Sequence, residues 1–83
     1  MKVYVQSVNF NADSDLIDFI EKKVNGLERY YDRIVDSEVY LKVQQTSAKE
    51  NKLVEVKINI PRNEIVVKKQ SKTFEEGTLL AVD

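Results

Sequence analysis

Three cations on one stretch of chain, Lys22, Arg29 and Arg33, stand seven and four residues apart. On a helix turning about 100° per residue, those spacings bring them to one face. Phe19, Lys23 and Tyr30 lie beside them on the wheel, and Gly26 lies between them. The acids of the same stretch, Asp18, Glu21, Glu28 and Asp32, gather on the opposite flank. A solvated helix ordinarily mixes its charges as i,i+4 pairs of opposite sign. Sorting them instead leaves a cationic ridge with aromatic neighbours, a composition suited to phosphate contact and to stacking on a base or sugar. The plainer reading is that Phe19 and Tyr30 widen the core stripe and the cations are merely solvated. On this helix alone the plainer reading is preferred.

Other charged positions admit similar pairs of readings. Lys68, Lys69 and Lys72 either extend the basic surface or protect an edge strand from aggregation, with equal weight. Lys2, Tyr4, Tyr40, Lys42, Lys57 and Lys68 fall on one face of the expected sheet. Tyrosines on a sheet suit RNA stacking, but Glu38, Glu55 and Glu64 share that face, so cross-strand ion pairing is the better account. Gly26 costs roughly 1 kcal/mol relative to Ala inside a helix. Close packing or simple tolerance explains it better than ligand approach.

Catalysis has little to work with. The 83 residues contain no Cys and no His, which removes disulfides, thiol chemistry, zinc sites and imidazole acid–base work. The most obvious acidic pair, Glu75-Glu76, is explained by helix capping and dipole preference. There is no glycine-rich phosphate loop, nucleophile elbow or metal spacing. The chain reads as a non-enzyme without cofactor, metal or small-molecule substrate.

The elements that must position these residues are legible from periodicity. Residues 2–8, 37–45, 53–60 and 64–69 alternate as strands, with Val3, Val5, Val39, Leu41, Val43, Val54, Val56, Ile58, Ile60, Ile65 and Val67 inward. Residues 15–31 carry Leu16, Ile17, Ile20, Val24, Leu27 and Tyr31 at helical spacing, with Asp13 or Ser14 as cap. Thr46–Lys52 and Pro61-Arg62-Asn63 read as turns. Thr73-Phe74-Glu75-Glu76 is a capping box opening a second helix, followed by Leu79, Leu80 and Val82. The order β-α-β-β-β-α predicts an α+β fold: a four-stranded mixed sheet, strands one and two parallel around the first helix, the rest an antiparallel meander, and both helices on one face. The length allows a single domain over 1–83. Its second helix, from about 74, meets Asp83 without stop chemistry, so a truncated helix is expected.

Apolar residues make up 42% and charged residues 33% of the chain, ordinary for a folded soluble domain. No segment could span a bilayer or serve as a secretory h-region, and the plain expectation is a cytoplasmic protein away from membranes. A net charge of −1 hides an asymmetry. Residues 42–72 hold eight cations and three acids, whereas residues 1–41 hold five cations and eight acids. A polyanion-binding face is compatible with that distribution.

The element order, the segment VNGLERYYDRI late in helix 1 and the helix-2 opening TFEEGTLLAVD resemble the N-terminal domain of ribosome hibernation promoting factors and ribosome-associated inhibitors. The resemblance spans essentially the whole chain. It implies a protein that binds the small ribosomal subunit between head and body, contacts ribosomal RNA where messenger and transfer RNA lie, and silences translation in slow growth. It implies that Lys23 and Arg29 match basic positions of the family, while Gly26 stands where the family often carries Lys, with Lys22 and Arg33 close enough to compensate. With the basic surface read from the residues themselves, the expected RNA-binding set is Lys22, Lys23, Arg29, Arg33, Lys68, Lys69 and Lys72. It further implies a Lys/Arg-rich continuation of helix 2 and self-association through a region beyond this chain. A double-stranded RNA module and a protein–protein adaptor using the open sheet face stay as alternatives.

Overall fold

The computed structural model describes residues 2–30, 33–44 and 49–82. Met1, Tyr31, Asp32, residues 45–48, which hold the end of the expected second strand and the start of the expected turn, and Asp83 lie outside the described residues. Four strands, β1 (Lys2–Val8), β2 (Asp36–Val43), β3 (Lys52–Ile60) and β4 (Asn63–Ser71), line up in the order β1-β2-β3-β4. β1 and β2 run parallel, and the other two pairs are antiparallel. Two helices, α1 (Ser14–Asn25) and α2 (Phe74–Val82), cover one face. α1 lies over β1, α2 lies over β3 and β4, and the helices pack on each other. The α+β class, the mixed sheet and the common helical face all match the periodicity reading.

Alternation decides which residues meet the helices. Val39, Leu41, Val54, Val56 and Ile58 turn to the helical side and are buried with Ile20, Val24 and Phe74. Each such apolar side chain contributes on the order of 1.5–3 kcal/mol when fully withdrawn from water. Asp13 is the α1 cap: its carboxylate oxygen accepts from Leu16 N at 2.8 Å. At α2, Thr73 Oγ1 accepts from Glu76 N at 3.1 Å, and the Ser71 hydroxyl donates to Thr73 O. Phe10, in the loop after β1, stacks on Phe74 with ring centres 5.2 Å apart. It thereby fastens the start of the chain to α2.

Several expectations need correction. Helix 1 does not run unbroken to residue 31: the α-helix ends at Asn25 and Gly26–Arg29 tighten into a 3-10 turn. The Gly26 N–H reaches both Lys22 O and Val24 O. Ile65 faces the helical side, opposite Ile58, but is half exposed, because β4 is an edge strand with no strand on its outer side among the described residues. Val43 is likewise exposed, near the end of β2. The β3–β4 hairpin turns on Pro61-Arg62, with Ile60 opposite Asn63. The proline ring holds φ near −65°, so the left-handed position falls on Arg62, at φ 68°.

Candidate functional site

The cations of helix 1 lie at the end of α1 and just beyond it. Lys22 and Lys23 occupy its last turn, where positive charge suits the negative end of the helix dipole. Both are exposed. Lys23 Nζ sits 5.7 Å from the centre of the Phe19 ring, a cation–π contact that steers the ammonium along the helix. Phe19 itself is packed against the core, as the plainer reading held. Tyr30 is not: it is 79% exposed and leaves the core stripe without that ring.

The 3-10 turn changes the aim of Arg29. Each 3-10 residue turns about 120° where an α-helical residue turns about 100°. Over the four residues Gly26–Arg29 the difference accumulates to roughly 80°. Arg29 is therefore swung away from the line through Lys22, and the cations wrap around the helix end instead of forming a straight ridge. Arg33 follows in the turn towards β2 and is exposed. A Cβ built on Gly26 meets nothing within 4 Å, so close packing does not explain this glycine.

The β4 lysines belong elsewhere. Lys68 and Lys69 are consecutive strand residues and point to opposite faces. Lys69 opposes Val54, which packs under α2, so it lies on the helical side. Lys68 opposes Glu55 on the open face. Lys72 sits in the link to α2. With β4 and β1 at opposite edges of the sheet, α1 and these lysines stand on different flanks. The structure thus groups Lys22, Lys23, Arg29 and Arg33 near one helix end. It sets Lys69 on the helical side of β4, Lys72 in the link to α2 and Lys68 on the open face. None of the seven takes part in an ion pair among the described residues.

The open sheet face is a knitted polar network. Lys57 Nζ lies 3.1 Å from Glu64 and 3.7 Å from Glu38. Asn59 donates to Asp36 at 2.6 Å and to Glu38 at 3.2 Å, and the Tyr40 hydroxyl donates to Glu38 at 3.0 Å. Hydrogen bonds from Asn59 and then Tyr40, with the Lys57 charge, hold the Glu38 carboxyl below the usual carboxylate range. The bond to Glu38 pushes Tyr40 up, and Glu64 pushes Lys57 up. Cross-strand pairing therefore accounts for Lys57, Glu38 and Glu64 on this face, while Lys68, which shares it, makes no ion pair among the described residues.

Among the described residues no helix is long and apolar enough to cross a membrane. The profile of the family described as sigma 54 modulation protein / S30EA ribosomal protein matches residues 3–83. The chain is 29% identical over 83 residues to the ribosome hibernation promotion factor of Bacillus subtilis, covering all of this chain and 41% of that protein. It thus spans about two fifths of that relative's length. A ribosomal subunit interface protein from Coxiella burnetii superposes with a TM-score of 0.84 at 17% identity, over 99% of this chain and 86% of the other. The N-terminal domain of Protein Y from Thermus thermophilus does so at 0.80 and 23% identity, over 99% and 88%. At those identities the two structures speak for the fold.

Proposed function

This chain belongs to the sigma 54 modulation protein / S30EA ribosomal protein family, and on that premise we propose that it binds the small ribosomal subunit through ribosomal RNA. It occupies the path of messenger and transfer RNA there and keeps ribosomes translationally silent in slow growth. The observation that carries this reading is the group Lys22, Lys23, Arg29 and Arg33: exposed, close in sequence and untied by ion pairs among the described residues. Cations already neutralised by neighbouring carboxylates would have to break those pairs before meeting phosphate; these do not. The likeness to a hibernation promotion factor supports the same reading. No chemistry is asked of the chain: it acts by occupancy.

Cosedimentation with purified small subunits tests this. Changing Lys22, Arg29 and Arg33 together to Glu is expected to abolish binding at moderate salt. The wild-type protein is expected to lose affinity steeply as salt rises, because each phosphate contact releases about one counterion. A triple variant that still cosediments with unchanged salt dependence would move the site off α1. Excess plain duplex RNA is expected not to displace the bound protein, which separates this reading from a general double-stranded RNA module.

A further inference from the structure

Apart from its charged residues, Lys68 and Lys69 among them, the outer edge of β4 lacks the features that protect an edge strand. It runs nine residues without proline, and its pairing to β3 continues from Ile60↔Asn63 to Lys52↔Ser71 without a bulge. Ile65 is 50% and Val66 44% exposed, on opposite faces of the same strand. A long regular edge with exposed apolar residues is a template for another strand. We propose that this edge receives β4 of a second copy of the chain, antiparallel, about a two-fold axis through Val66.

The register follows from ladder geometry and charge. Alternate residues of β4 already turn their backbone groups to β3, so the remaining alternate residues face outward. In an antiparallel ladder, opposed residues both face each other or both face away. The axis must therefore pass through a residue, not between two. Through Val66, Glu64 opposes the partner's Lys68 and Lys68 opposes the partner's Glu64. Ile65 and Val67 oppose each other, Val66 opposes itself, and Asn63 opposes Lys69. Through Val67, Ile65 would oppose Lys69 and Val66 would oppose Lys68. Through Lys68, like charges meet on the axis. Through Ile65, Arg62 would oppose Lys68. Only the Val66 register matches charge with opposite charge and apolar with apolar.

Residues paired this way keep to one face, so the two sheets join with all helices on the same side. Ile65 and Val67 line an apolar groove of about 190 Å³ with Leu27, Ile34 and Val82. Pairing places the partner's Val67 beside Ile65 at the open rim of that groove. The paired residues include Lys68 but none of Lys22, Lys23, Arg29 and Arg33, so the proposal does not rest on the ribosomal reading.

Sedimentation equilibrium from about 1 µM to about 1 mM tests the contact. Wild-type chain is expected to show a monomer–dimer equilibrium in that range. Lys68→Glu and Glu64→Lys are each expected to weaken it about tenfold, and the double exchange to restore it. Val66→Glu, which keeps Glu64 and sets an anion opposite Lys57 of the same chain, is expected to weaken it as strongly by placing like charges on the axis. Circular dichroism checks that every variant is folded. A wild type that stays monomeric throughout, or single variants as dimeric as the wild type, overturns the proposal.

Discussion

Glu38 stands where polar side chains of β2 and β3 converge, and its charge is what the network is arranged around. It accepts from Asn59 and Tyr40 and faces Lys57. Because its folded pKa is depressed, the folded state binds fewer protons than the unfolded state as pH falls. The stabilisation is complete above the unfolded carboxylate value, about 4.3, and is lost as pH falls through the lower folded value. Glu38→Gln is therefore expected to flatten the acid limb of the stability profile, read as the urea midpoint against pH. An acid limb of unchanged slope would show that Glu38 does not carry it. Tyr40 and Lys57 have the opposite sign: both pKa values are raised, so their contribution holds below about pH 10 and fades as pH rises through the folded values.

α2 reaches the sheet through a glycine. A Cβ on Gly77 would stand 2.8 Å from Ser71 Oγ and 2.8 Å from Val54 Cγ2, both in buried residues. The helix gives up about 1 kcal/mol of propensity there and gains close approach to β3 and β4. Gly77→Ala is expected to destabilise the fold by about 1–3 kcal/mol in urea unfolding, against the usual direction for a helical glycine. The same Ala at Gly26, with nothing near its Cβ, is expected to be neutral or stabilising. The elements themselves were largely readable in advance. Alternation in KVYVQSV and LVEVKINI assigns faces, and Thr73 with Glu76 marks the start of α2. What could not be read depends on partners distant in the chain. Phe10 lies in a polar loop and gains meaning only from its stack on Phe74. Ile65 follows the core pattern, and only strand order reveals it as edge. The break at Gly26 carried a local signal, the Asn25-Gly26 pair. Val24 and Leu27 keep a spacing that α and 3-10 winding share, and that masked it.

The whole molecule has two faces of different electrostatic character. On the open sheet side Lys57 is paired across strands with Glu38 and Glu64; Lys22, Lys23, Arg29 and Arg33, around the end of α1, make no ion pair among the described residues. Expected outcomes differ accordingly. Substituting Tyr4 by Ala and Lys42 by Glu, on the open face and away from both helices, should leave small-subunit cosedimentation unchanged. A loss as large as that of the α1 charge reversal would favour the adaptor reading instead. The 3-10 turn between these regions has a mechanical consequence. Rising about 2.0 Å per residue instead of about 1.5 Å, its four residues carry Arg29 roughly 2 Å further along the axis as well as around it. The buried anchors Ile20 and Val24 precede the turn, and Leu27 within it also packs against the core. Gly26–Arg29 is thus a screw thread seated on the core through Leu27, and its pitch sets the bearing of one guanidinium.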